Sequence, residues 1–464
     1  MSRQILNENK TFLNKIKIFF AIILTTFSNA IKFITQSHKN TKISFIIMGY
    51  GHFKTKQYLK GCIYLGIQIA YIYYFITLGW SQFYGLITLG DKSYDLVNGI
   101  VGDHSTFMLV YGVFSWLITF VFICIYIYSI KECEMSYKQI AQGKSLPKAK
   151  KLVYSLINNK LYITFLILPV IGALLFTIIP LVFMILIAFT NFGAPNHLPP
   201  AQLVDWVGLG SFKKLLSLGA YSKTIGKILV WNVTWAIVAT TAYYLGGVGL
   251  AVLLNKKSIK GKKLYRSCIM LSFAVPQFIS LLGLRFFFSS FGPINQVLMK
   301  AFNLAQPIDF LVGKWPARTT AFFVGGWLAI PSIMLLATGI LNAIPDELYE
   351  VGKIEGASSL QIFRHLTLPY VIFATTPVLI GQFMANFNNF GLFFYLTGTR
   401  PYSDGYFLAN DSDLLINWLY NLSLENSYYS IAAVVGLILF VIMSCCSLIV
   451  YTRSNAYKKE DQFQ

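Results

Sequence analysis

Eight apolar runs of roughly 20 residues or more recur along this chain, near 61–79, 107–130, 162–190, 228–254, 267–290, 319–342, 370–397 and 429–452. A helix needs about 20 such residues to cross the hydrocarbon of a bilayer. In lipid the backbone must pair within the protein, which leaves helices and closed barrels. Barrel strands alternate between apolar and polar residues, and these runs do not. The fold class is therefore an all-α polytopic membrane protein of about eight transmembrane helices. Composition excludes a soluble alternative, since only 12% of the 464 residues are charged and 56% are hydrophobic.

The net charge of +20 is not spread evenly. Residues 1–60 carry ten Lys/Arg against the single acid Glu8, residues 131–160 carry seven Lys, and the turn 255–266 holds Lys256, Lys257, Lys260, Lys262, Lys263 and Arg266. With eight spans and the N-terminus inside, these segments and a tail with Arg453, Lys458 and Lys459 share the cytoplasmic side. Cytoplasmic loops are enriched in Lys and Arg in this way. The basic face suits anionic membrane lipid, and nucleic acid is not expected as a partner. The expected location is the cell membrane, multi-pass, with both termini cytoplasmic.

Cysteine spacing gives no framework. Cys62, Cys124, Cys268, Cys445 and Cys446 lie in or beside apolar runs, Cys133 lies on the inner side, and no CxxC occurs. The five histidines are scattered, so no metal site is expected. The basic, apolar stretch Ile18–Phe27 looks like a leader, but Lys32, Lys39 and Lys42 follow at once. It is read as an amphipathic helix on the inner surface.

These features divide the chain into a basic cytoplasmic segment (1–60), a two-helix extension (61–130), a Lys-rich linker (131–160), a six-helix core (161–455) and a cytoplasmic tail (456–464). The glycines and lysines of Met48–Gly61 suggest a turn at the headgroups. Pro169, Pro180 and Pro276 can bend their helices where neighbours re-satisfy the freed carbonyls.

Two stretches break the apolar monotony. Residues 345–369 form a polar loop between the sixth and seventh spans, on the inner side. Glu350 opens a polar helical face, Gly356 permits a tight turn, and Pro369 marks the return to the membrane. Residues 371–397 place Gln382, Asn386, Asn388 and Asn389 among Phe383, Phe387, Phe390, Phe393, Phe394 and Tyr395. Amides can pair with sugar hydroxyls, and aromatic faces can cover sugar C–H surfaces. Polar residues in a span default to a functional reading, although asparagines also join helices at about 0.6 kcal/mol each. Asn386 and Asn389, three apart, would share one helical face. Arg285, late in the fifth span, reads as a side chain snorkelling to the outer surface.

The order Glu350-Val351-Gly352, Gly356 and Leu366-Thr367-Leu368-Pro369 resembles the EAA loop of binding-protein-dependent ABC importer permeases. The resemblance extends further. Ala188–Phe192, His197–Pro200, Leu203–Leu209, Ala274–Phe278, Gly292–Gln296, Asn386–Phe390 and Asp413–Trp418 are similar to segments of MalF-type maltodextrin permeases, and Met48–Gly61 to the N-terminus of Gram-positive members. The loop 191–227 is too short for the large extracytoplasmic domain of Gram-negative members.

The resemblance implies a permease subunit importing maltodextrin or a related oligosaccharide. It implies sugar contacts at Asn386, Asn389, Gln382 and Leu328, with Ala329, Ser332 and Ala385 at three further contacting positions. There the Gram-negative pattern has Gly, Tyr and Phe, which leaves room here for a different or longer oligosaccharide. It implies ATPase coupling through Glu350, Gly352, Glu355, Gly356, Ala357, Leu368 and Pro369. Expected partners are a second, MalG-like permease subunit, two ATPase subunits and an extracellular sugar-binding protein. ATP and magnesium would sit on the ATPase and no cofactor on this chain.

No catalytic residues are expected. Gly143-Lys144-Ser145 fails as a nucleotide loop because Lys138 stands where the first Gly is required. The alternative reading is an ATPase-independent secondary transporter or channel for a polar solute, which would explain everything except the EAA-like loop.

Overall fold

The computed structural model describes residues 32–146 and 161–453 except 94, 96, 97, 100, 199–201 and 257, together with 154, 157 and 158. The expected surface helix at Ile18–Phe27, the tail 456–464 and much of the linker lie outside the described residues. Among the described residues there are seven helices long and apolar enough to cross a membrane, or eight if one sharply bent pair counts as a span. The chain divides into two compact units, residues 1–183 with 202–204, and residues 184–201 with 205–464.

In the first unit, α1 (Tyr58–Thr88) packs on α2 (Ser105–Ala141). Tyr71 stacks on Phe122 with ring centroids 3.8 Å apart. Near the basic ends of the helices, Glu132 accepts from Lys60 Nζ and, at 2.6 Å, from Tyr64 Oη. The segment before α1 is tied to both helices. Tyr126 Oη donates to the Phe45 carbonyl, and Gln68 bonds the Met48 N–H and the Ile46 carbonyl. The turn expected at Met48–Gly61 is a short helix, Tyr50–Lys54, entered through Gly49 at φ +84°. A Cβ on Gly49 would stand 2.4 Å from the Gly61 carbonyl oxygen, so only glycine fits.

The linker expected from residue 131 begins later, because α2 continues to Ala141. From Lys131 onward no Gly or Pro interrupts it before Gly143. Glu134 supports the extra turns, accepting the His38 N–H at 3.0 Å and lying 3.9 Å from Lys138 one turn on. The third span, α3 (Thr164–Ile187), widens into a π-turn at Leu174–Ile178, between Pro169 and Pro180.

The second unit holds α4 (Gly219–Asn255), α5 (Lys262–Ala274), α6 (Gln277–Phe287), α7 (Lys314–Leu341), α8 (Asp346–Ile354), α9 (Ser359–Ile362), α10 (Leu368–Phe387), α11 (Phe390–Leu396), α12 (Leu415–Tyr420) and α13 (Tyr429–Arg453). Its core is the α4–α7 interface, with Trp235, Tyr243, Val248, Met334 and Ala337 buried against Leu392 and Phe393 of α11. Small residues set the closeness, since a Cβ on Gly247 would meet Ile333 Cγ2 at 2.5 Å. The fifth span is not one rod. α5 and α6 meet at 93°, with Val275 extended and Pro276 capping α6. Proline restricts the preceding residue to extended backbone, which ends α5 there.

Candidate functional site

The seventh span is also broken. Asn388 leaves the helical region (φ −111°, ψ 35°), so α10 stops at Phe387 and α11 restarts at Phe390. A break of this kind frees backbone carbonyls, which in a membrane must find other partners. One asparagine supplies a donor to the freed carbonyl at the end of α10, and a second ties the first turn of α11. Asn232 of α4 donates Nδ2 to the Phe387 carbonyl at 2.9 Å, and Asn417 of α12 donates Nδ2 to the Phe390 carbonyl at 3.1 Å. The Asn232 Oδ1 accepts the Leu415 N–H at 2.8 Å. Asn389 caps the restart, its Oδ1 accepting the Leu392 N–H at 3.2 Å.

The two breaks, at 275–276 and 388–389, border one cavity of about 660 Å³. All seven residues singled out from the sequence line it: Gln382, Ala385, Asn386 and Asn389 from one wall, Leu328, Ala329 and Ser332 from α7. Sequence reasoning did not assign Ser272, Phe273 and Gln277 of the bent pair to it, nor Tyr243 of α4.

One expectation needs correction. Asn386 and Asn389 were placed on one face of a continuous helix, but the break at Asn388 separates them. Asn386 is buried and donates Nδ2 to Thr240 Oγ1 at 2.9 Å. Part of the amide capacity of both residues is thus spent on the fold. Among the described residues, the side chains of Gln277, Gln382 and Asn388 make no hydrogen bond and remain available to the cavity. With the aromatic faces of Phe273 and Phe390, the lining combines amides and apolar surface, which suits a neutral polyhydroxylated solute. Arg285 is exposed, beside Gly398 and away from this lining.

The segment 397–428 is pinned over α4 and α7. Arg318 Nε and Nη2 donate to the Asp411 carbonyl at 3.0 and 2.6 Å, with the guanidinium 3.7 Å from the Trp231 ring centroid. Trp231 Nε1 donates to the Ser412 carbonyl, and Trp418 Nε1 to that of Phe407. Asp413 lies buried within it, accepting from the Asn410 N–H and Asn421 Nδ2, both at 2.9 Å. Burial pushes its carboxyl up to about 7, against the downward pull of those two donors.

The loop 345–369 is a helical hairpin. Asp346 and Glu347 occupy the first turn of α8, where negative charge is favoured. Gly356 turns the chain at φ +78°, and Ser358 opens α9 with a reciprocal cap through Gln361. The Ala357 N–H returns to the Gly352 carbonyl at 3.0 Å, and Gly352 faces Ile362. Pro369 follows directly on the π-turn Phe363–Thr367 that carries the chain from α9 into α10. Glu350 and Glu355 are exposed, as are Val351, Ile354 and Leu360.

Residues 244–455 match the family of binding-protein-dependent transport system inner membrane components. The maltodextrin transport system permease protein MalC of Streptococcus pneumoniae serotype 4 is 36% identical over 427 residues, covering 90% of this chain and 96% of that protein. The galactooligosaccharides transport system permease protein GanP of Bacillus subtilis is 32% identical over 417 residues, covering 89% and 97%. A solved bacterial ABC transporter involved in the import of the acidic polysaccharide alginate has a chain of the same fold, with TM-score 0.53, 19% identity, and 66% and 98% coverage. The sequence relatives place this fold among membrane permeases. This chain belongs to the family of inner membrane components of binding-protein-dependent transport systems.

Proposed function

We propose that this chain is the permease subunit of an ABC importer for maltodextrin or a closely related oligosaccharide, with the cavity between the two helix breaks as its transport site. The observation that carries this reading is the cavity: amides on facing walls, aromatic faces beside them, and no charged side chain in its lining. The names of the relatives support a neutral oligosaccharide. Asn386, Asn389, Gln382, Leu328, Ala329, Ser332 and Ala385 would line the sugar path, with Asn388 and Gln277 added.

Energy enters through the hairpin 345–369. The φ of Gly356 holds α8 and α9 as one knob. The exposed Val351, Ile354 and Leu360 beside Glu350 and Glu355 offer a mixed apolar and acidic surface for an ATPase subunit. ATP and magnesium then belong to that partner, and this chain does no chemistry. A second, related permease subunit completes the pathway, an extracellular binding protein delivers the sugar, and both termini lie inside.

The test is uptake by the reconstituted transporter across a panel of labelled oligosaccharides, with ATPase activity followed in parallel. Saturable uptake of maltodextrins that requires ATP is expected. Uptake without an ATPase subunit, or selective uptake of a charged solute, overturns the reading.

A further inference from the structure

Asn232 is fully buried in the middle of an apolar span. Both ends of its carboxamide are committed, to chain segments 28 residues apart in sequence: Nδ2 to the Phe387 carbonyl at the end of α10 and Oδ1 to the Leu415 N–H at the start of α12. The first target is the last helical carbonyl before Asn388 and Asn389 turn into the cavity. The second opens the helix that sends Asn417 to the other side of the same break, at the Phe390 carbonyl. The break is thus clamped from both sides, and both clamps rest on α12.

A helix pairing with lipid alone could not stay open here, because the freed carbonyl would lack a donor. Leucine or alanine at 232 would leave two buried backbone groups, one acceptor and one donor, without partners. The nearest regular solution is for α10 to close up toward a continuous helix, which rotates Asn388 and Asn389 out of their present positions.

We propose that Asn232 is a positioning residue for the transport site: through its two hydrogen bonds it holds the break at 387–390 open and fixes the amides of Asn388 and Asn389 toward the solute, in register with the outer segment that carries α12. The proposal rests on the cavity being the sugar site. It assigns Asn232 no contact with sugar.

Titratable or charged groups on the elements packed around it include Lys227, Tyr243 and Tyr244 on α4, Arg318 on α7, Tyr420 on α12, and Tyr406, Asp411 and Asp413 on the outer segment. None of them hydrogen-bonds Asn232. Lys227 and Arg318 are engaged by the Gly405 and Asp411 carbonyls, and Asp413 by Asn410 and Asn421. An aspartate at 232 can still accept the Leu415 N–H. It can donate to Phe387 only when its carboxyl carries a proton.

The experiment uses the complete transporter in proteoliposomes, with Asn232→Leu and Asn232→Asp compared to wild type for oligosaccharide uptake from pH 5 to 8. Co-elution with the ATPase subunit checks assembly. Loss of hydrogen bonds that leaves buried groups unpaired should lower uptake by Asn232→Leu about five- to hundredfold at every pH. Asn232→Asp should be low at pH 8 and recover severalfold toward pH 5. Because Asp413 can titrate in the same range, the profile is read as the ratio of variant to wild type. Wild-type uptake by Asn232→Leu overturns the proposal, as does a flat ratio for Asn232→Asp. If the leucine variant does not assemble, the aspartate profile alone decides. If the wild-type transporter carries no sugar, it is the sugar reading that has failed, and the clamp falls with it.

Discussion

Asn386 donates its side-chain N–H to Thr240 Oγ1 at 2.9 Å, across the interface between α10 and α4. The residue most suggestive of a sugar contact is therefore also a helix tie. The two roles separate by experiment. Thr240→Val removes the tie and leaves the amide, at a cost near the 0.6 kcal/mol typical of such bonds. Asn386→Ala removes both. If Asn386 also serves the solute, its alanine variant should lower uptake about five- to hundredfold, whereas Thr240→Val should stay within about threefold. Equal losses in the two variants would reduce Asn386 to a packing residue.

The hairpin makes a different demand. Nothing lies within 4 Å of a Cβ built on Gly356, yet its φ is +78°. A side chain there fits in space but not in backbone conformation, so the penalty comes from φ rather than from crowding. Gly356→Val should cost about 1–2 kcal/mol or more in the turn, and Gly356→Asn less, because asparagine tolerates the left-handed region. Sugar-stimulated ATPase activity of the assembled transporter should follow the order Gly, Asn, Val. Equal activity for valine and asparagine would mean that the turn does not hold the coupling surface.

At the α4–α7 contact a Cβ on Gly325 would stand 2.5 Å from Tyr243 Oη, which donates to the Phe322 carbonyl at 2.8 Å. Gly325→Ala should therefore destabilise the unit by about 1–3 kcal/mol through overpacking. Tyr243→Phe in the same chain removes the colliding oxygen and should return part of the loss. Thermal unfolding in detergent, read by tryptophan fluorescence, checks both. If the alanine variant melts with wild type, α4 and α7 are not held as closely as described.

Much of this was legible in the sequence because lipid imposes simple rules. Span number followed from run length, and the inner hairpin from Glu350, Gly356 and Pro369. Of the seven cavity residues, Gln382, Asn386 and Asn389 were legible because a cluster of amides in an apolar run has few other uses, whereas Leu328, Ala329, Ser332 and Ala385 followed only from the family resemblance. What escaped were the breaks. Pro276 announced a bend but not its 93°, and nothing local marks Asn388 as the end of α10. That break depends on Asn232 and Asn417, 156 and 29 residues away, and pairing over such distances leaves no local pattern. Arg318 escaped for a similar reason, since its partner is the backbone carbonyl of Asp411, which no side-chain pattern reveals. The extension of α2 was hidden by composition. Lysines read as linker, yet Glu134 pairs Lys138 along a helix.

Asp413 gives the pH prediction. Its carboxyl is raised from an ordinary 3.8 to about 7 by burial in the outer segment. The folded chain therefore holds a proton that the unfolded chain has lost between these values. Stability from this group is complete below about pH 4, declines as pH rises toward 7, and is absent above it. The shift of roughly three pH units corresponds to something on the order of 4 kcal/mol at most. Asp413→Asn stays neutral throughout, and its Oδ1 can still accept from the Asn410 N–H and Asn421 Nδ2. The wild-type melting temperature should fall between pH 5 and pH 8, while the variant should show a flatter profile and equal or exceed wild type at pH 8. Parallel profiles for the two proteins would show that Asp413 is ionised at pH 5 in the folded state and that its two donors outweigh burial.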